Sequence, residues 1–180
     1  GPFVIERYAN YYAVALTPTT PKKYGVVNYA TSEVNIYPSS VSGTLVDVRA
    51  NPTKKDRAYG INISGGGEVV EIINPKTGAS VKTFPSFWQG VAEAKIRISE
   101  DGKYLVAFVR ETIGGSIQFT TYDLDTESLV AAGWITGDFP ITEVALSKNN
   151  SLAYIMTGKP DNKVYAVNYI TASLPQSWSS

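Results

Sequence analysis

Sixteen Asp and Glu, sixteen Lys and Arg, and no histidine or cysteine limit the chemistry open to this 180-residue chain. Thiolate nucleophiles, disulfides and Cys-based zinc sites are excluded. So are Ser-His-Asp and Cys-His relays and imidazole acid–base catalysis. What remains is carboxylate, Lys, Tyr or Ser/Thr chemistry, or a hard cation held by carboxylates. Glu68 and Glu71 are near neighbours in sequence. On a strand, Glu71 shares a face with Val69 and Ile73 while Glu68 sits at its mouth, with no partner placed opposite in the pattern. Asp123-Leu124-Asp125-Thr126-Glu127 opens like a calcium loop, but Ser128 and Trp134 stand where Gly and Glu are required, so the pattern fails. Gly65-Gly66-Gly67 precedes no helix and lacks a following Lys-Ser/Thr, so it is a tight loop and not a phosphate cradle. Asp47, Glu93 and Glu143 recur near the starts of successive repeats, and their convergence would make a calcium site. No catalytic residue, cofactor or metal ligand is assigned from these patterns.

Aromatic residues mark a second kind of chemistry, contact with a partner. Three segments join an outer strand to the next repeat: Tyr37-Pro38-Ser39-Ser40, Phe84-Pro85-Ser86-Phe87-Trp88-Gln89 and Trp134-Ile135-Thr136-Gly137-Asp138-Phe139-Pro140. Rigid amphipathic aromatics of this kind are enriched at interface hot spots. The candidate partner-binding residues are Phe84, Phe87, Trp88, Gln89, Trp134, Asp138 and Phe139. For Phe84, Phe87 and Phe139 the preferred reading is packing in the core. Trp88 and Trp134 have polar or small neighbours that leave both packing and exposure open.

The elements that position these residues repeat four times. Ala50, Ile98 and Leu146 each end an apolar run before a polar turn, 48 residues apart. Thr31, Thr77, Thr126 and Thr171 each follow an apolar segment in a second polar turn, at spacings of 46, 49 and 45. Strand-rich units at about 40–50 residues are the signature of propeller blades. Each repeat reads as four short strands bounded by turn residues that tolerate φ > 0. The first, more worn, has Phe3–Ile5, Tyr11–Leu16, Tyr24–Tyr29 and Val34–Tyr37. No segment has a helical period. The pattern predicts an all-β array of four four-stranded antiparallel blades, a partial propeller or half-ring. Ile96, Ile98, Val106, Phe108, Val144, Leu146, Ala153 and Ile155 should face the core between blades. Gly1-Pro2 reads as the scar of a cleaved expression tag. One propeller-type domain then covers 3–180, with repeats at about 3–40, 41–88, 89–137 and 138–180.

Ile98-Ser99-Glu100-Asp101-Gly102-Lys103-Tyr104-Leu105 resembles the Ser-x-Asp-Gly-Lys-x-Leu turn of YVTN/WD40-type propeller blades. Ile117–Asp123 and Val164–Tyr169 resemble the strand that follows it. The resemblance covers nearly all of residues 3–175, and the third and fourth repeats carry the motif cleanly. The Trp-Asp and Gly-His pairs of true WD40 blades are missing, so that subfamily's hydrogen-bond network is not implied. Such propellers commonly have seven blades, which makes four units part of a ring; a complete four-bladed ring is the alternative. The fourth repeat is expected to lack a good final strand, with Pro175 interrupting pairing. An open array of this kind would pair with a second copy or be held by another chain.

Balanced charge gives no global field favouring nucleic acid or an anionic membrane. Apolar stretches of about eight residues are far short of the roughly 20 that span a bilayer. Asn62-Ile63-Ser64 and Asn149-Asn150-Ser151 match the N-glycosylation pattern, and the hydroxyl-rich composition leans toward an extracytoplasmic setting. The reading preferred is a non-catalytic scaffold presenting aromatic-bearing loops to another protein or a second copy. The alternatives are a lactonase-like, metal- or small-ligand-binding propeller, which the resemblance suggests, and a carbohydrate-binding module using Trp88 or Trp134.

Overall fold

Alternation of apolar and polar residues, cut by Gly, Asn, Asp and Pro, gives β-strands and no helix among the described residues. The computed structural model describes residues 11–112, 115–137, 139–172 and 176–179. Strands β1 (Tyr12–Leu16), β2 (Tyr24–Asn28) and β3 (Val34–Tyr37) form the first sheet. The second holds β4 (Thr44–Ala50), β5 (Ala58–Ser64), β6 (Gly67–Ile73) and β7 (Ser80–Phe84). The third holds β8 (Val91–Ile98), β9 (Tyr104–Glu111), β10 (Ile117–Asp123) and β11 (Ser128–Ile135). The fourth holds β12 (Ile141–Leu146), β13 (Leu152–Thr157), β14 (Lys163–Asn168) and β15 (Gln176–Ser179). Each sheet is an antiparallel meander, as the repeat predicts. The expected strand Phe3–Ile5 lies outside the described residues. The fourth sheet does have a final strand, contrary to expectation: β15 begins after Pro175, so the missing amide takes no bond from its ladder with β14.

The chain divides into two compact units, Gly1–Phe87 and Trp88–Ser180. In the first, Val14, Tyr24 and Val26 pack on Leu45, Val48, Ala50, Ala58 and Ile73 of the second sheet. In the second unit, Val106, Phe108, Ile117 and Phe119 pack on Val144, Ala153, Ile155, Tyr165 and Val167. Each fully buried side chain of this size contributes about 1.5–3 kcal/mol. Of the expected core residues, Ile96 is also buried and Leu146 is partly buried against the second cluster. Ile98, at a strand end, is half-buried and not fully internal.

The Thr marker has a structural cause three residues upstream. Asn28, Asn74, Asp123 and Asn168 each close the last hairpin of their sheet through a side-chain oxygen that accepts backbone amides two or three residues on. Four residues after each of them the backbone turns left-handed, at Ser32 (φ 58°), Gly78 (φ 73°), Glu127 (φ 53°) and Ala172 (φ 55°). Only Gly78 has the residue type this prefers, and the Tyr37 ring lies where its Cβ would be, 2.2 Å from Cδ1. Exposed Ser32→Gly is therefore expected to raise stability by about 0.5 kcal/mol, and Gly78→Ala to lower it by about 2 kcal/mol or more. Urea unfolding midpoints of the two variants check both signs.

These turns also make stability acid-sensitive. The Thr126 amide first, and the Asp125 amide with it, hold the Asp123 carboxyl below its usual range against the opposing effect of burial. The Ser99 hydroxyl, with the Lys103 amide, does the same for Asp101. A folded-state pKa below the unfolded value gives stability that is present above the unfolded value, near 4, and lost as pH falls through the folded one. The unfolding midpoint should fall as pH is lowered from 5 toward 3. Asp123→Asn, which restores the residue used in the other three turns, should flatten that slope while leaving stability at pH 7 nearly unchanged.

Candidate interaction surface

A carboxylate in an apolar strand needs donors, and β6 carries two, both in the first unit. Val69-Val70-Glu71-Ile72-Ile73 puts Glu71, fully buried, on the face turned to the first sheet. There it accepts hydrogen bonds from the Tyr24 hydroxyl at 3.0 Å, the Ser39 hydroxyl at 2.9 Å and the Ser40 amide at 3.2 Å, and a short one from the Ser40 hydroxyl. Tyr24 reaches it because residue 60 is Gly: a Cβ there would lie 2.2 Å from the Tyr24 hydroxyl. Burial first, then the charge and hydrogen bond of Glu71, push the Tyr24 phenol far above its ordinary range, so it stays a neutral donor. Glu71 thus ties down the segment joining β3 to β4.

Glu68, three residues earlier, points to the opposite face. It is 1% exposed, and its Oε1 accepts the Phe87 backbone amide at 2.8 Å in the segment that follows β7. Phe84 is buried, as preferred from sequence. Phe87 is not: its ring is 46% exposed, against the expectation that it plugs the core. With its amide held by Glu68 and Phe84 anchored three residues before, Phe87 is fixed in place and turned outward.

In the second unit, Trp88 is half-buried and Gln89 exposed. Trp134, on edge strand β11 opposite Gln118, is 61% exposed. Phe139 is half-buried and lies over Gly137, whose absent Cβ would stand 2.6 Å from its ring. Asp138 lies outside the described residues. The connection into β12 is tied by a carboxylate as well: Glu93 accepts the Ile141 amide at 3.1 Å while paired with Arg110 at 2.8 Å. Arg97 spans from the third sheet to the fourth, donating to the Val144 carbonyl at 3.1 Å and to Glu143 at 2.6 Å.

The carboxylates considered for a calcium site are therefore each engaged by arginine: Asp47 by Arg49 at 2.8 Å, Glu93 by Arg110 and Glu143 by Arg97. No group of three acidic side chains able to hold a metal occurs among the described residues. Of the two glycosylation patterns, Asn62 is fully buried in β5 and unavailable, whereas Asn149 is exposed in a turn. A scan against protein-family models and a search of curated proteins return no match.

Solved structures do match. The β-propeller domain of Cps50 (Swd1) from Myceliophteria thermophila aligns with a TM-score of 0.69 at 12% identity, over 94% of this chain and 56% of that one. The WD40 repeats of RRP9 align with a TM-score of 0.59 at 14% identity, over 79% of this chain and 40% of that one. The chain has a WD40-like β-propeller fold. It spans about half the length of those propellers, and its four sheets are blades.

Each blade's outer strand leads through a connector to the next blade. In the first unit, both connectors are held from one strand, β6, by buried carboxylates on its two faces. Their partners lie 47, 32 and 31 residues away from Glu71 and 19 from Glu68, beyond any local pattern. The one signal available in the sequence was an ionisable residue inside an apolar run, which demands a partner somewhere. Removing the Glu68 tie with Glu68→Ala should loosen the connector without unfolding the blade. Amide hydrogen exchange at Phe87 should then speed up at least tenfold relative to amides in β5, whereas an unchanged rate would mean the tie is idle.

Proposed function

We propose that this chain is a non-catalytic interaction module that binds another protein through its blade connectors. The observation that carries the reading is Phe87, an exposed aromatic ring on backbone held by the buried carboxylate of Glu68. An aromatic anchor fixed before binding loses little freedom on association, so more of its buried area becomes affinity. Trp134 adds a second exposed aromatic in the other unit, again on ordered backbone. The WD40-like fold fits a scaffold role, and the three carboxylates that could gather a metal, Asp47, Glu93 and Glu143, are each paired with an arginine.

Crosslinking in the native source identifies the partner, and titration of the purified pair measures it. Phe87→Ala combined with Trp134→Ala should leave the fold intact and weaken binding by about 2 kcal/mol or more, roughly 30-fold, if both are hot spots. Unchanged affinity in a folded double variant would show that the rings are merely exposed, and would end this reading.

A further inference from the structure

A separate surface lies on the first blade, on the face turned away from β4–β7. Ala13 and Ala15 of β1, Gly25 and Val27 of β2, and Val34 and Ile36 of β3 share it by register. They line an apolar groove of about 180 Å³ that continues past Leu16 to Pro18. Val34 and Ile36 are 63% and 58% exposed.

Positional equivalence with the covered blades says what belongs there. Counting back from the hairpin-closing Asn28, Asn74 and Asn168, the Val27 position corresponds to Ile73 and Val167, which lie in the two covered interfaces. Across the ladder from them stand Ala13, Ala58 and Ala153, alanine each time. In both covered interfaces this small-residue face receives the larger side chains of the preceding blade: Tyr24 in the first unit, Phe108 and Phe119 in the second. The first blade therefore carries the receiving half of a blade-to-blade interface. Its outer strand goes further: where the second blade has exposed, polar Ser80 and Thr83 at these register positions, the first has Val34 and Ile36.

The fourth blade carries the giving half. Tyr154 and Met156 of β13, with Val164 and Ala166 of β14, hold the positions that Val106, Phe108, Phe119 and Thr121 hold in the third blade. Phe108 is fully buried under its neighbour, whereas Met156 is 46% exposed. We propose that the first blade's open face receives the fourth blade's open face from a second copy of this chain. Reciprocal exchange makes two such interfaces per pair and leaves neither apolar face in water.

Light scattering across a wide concentration range tests this directly. The expected result is a concentration-dependent species of twice the 19.5 kDa chain mass. Ile36→Lys and Met156→Lys both change exposed side chains, so circular dichroism should confirm folded variants. Each alone should weaken self-association at least about tenfold. Mixed together they should regain a one-to-one pair, because one intact receiving face meets one intact giving face. A monomer at all concentrations, from closure within one copy or from faces that simply stay wet, overturns the proposal. So does a pair that neither substitution disturbs.

Discussion

Burying the Glu71 carboxylate in a sheet of Val and Ile is tolerable only because four donors meet it, and the geometry of the first unit follows from supplying them. An unpaired buried charge costs several kcal/mol, and hydrogen bonds to a charged group return about 1.5–3 kcal/mol each. Tyr24 must come from the first blade, so the two sheets have to stack at the separation its ring spans. Residue 60 has to lack a side chain, or the hydroxyl is displaced. Ser39 and Ser40 must double back over the strand end, which sets the path of the connector. A one-residue slip of β6 would send Glu71 to the opposite face and Glu68 toward the first blade, leaving both carboxylates without their partners. Hydrophobic burial stabilises the stack; the carboxylates select one register of it.

What was legible in the sequence was local and periodic. The four meanders, the turn positions and most of the core between the third and fourth blades follow from alternation and spacing. The Thr marker shows the period but not its cause: the turn is made by the Asn or Asp three residues before it. Alternation puts Ile98 on the core face but says nothing of how near a strand end lies to solvent, and Ile98 is only half-buried. Phe87 departs from the core packing its type suggests for a different reason. Its outward turn depends on an amide bond to Glu68, and no residue within the connector reveals that bond. Glu71 draws its donors from two earlier segments, the strand of Tyr24 and the connector of Ser39 and Ser40, and nothing in a single sequence joins them to it. A proline breaks pairing only where it lies inside the ladder, and β15 starts one residue after Pro175.

Charge follows the same division of labour in the second unit. Arg97 crosses from one blade to the next to reach a backbone carbonyl and Glu143, and Glu93 crosses in return to an amide of β12. Exposed ion pairs contribute little, about 0–1 kcal/mol. Glu143 is largely exposed, so its pairing with Arg97 adds position more than energy. The backbone contacts carry the specificity, since they fix which residue of β12 lies beside which residue of β8.

Rigid connectors and exposed stacking faces ask for different contacts in a repeat protein, and this chain separates them. A binding loop gains from being ordered before its partner arrives, because ordering it on contact would cost about 0.5–1.5 kcal/mol for each flexible side chain immobilised. Carboxylates inside β6 supply that order without placing any large apolar side chain at the surface other than the contact ring itself. The first blade's open face has no buried carboxylate, and its relief is one of shape: small residues that can take the larger side chains of a blade stacked on them. Glu71 marks where the two designs meet. It lies within a stacking face, yet it binds a connector, and only Tyr24 joins it from the neighbouring blade. The equivalent position on the first blade's open face is Gly25, which makes no demand for donors. That face asks only for a matching relief, whereas the face holding Glu71 also requires a hydroxyl at the place where Tyr24 stands.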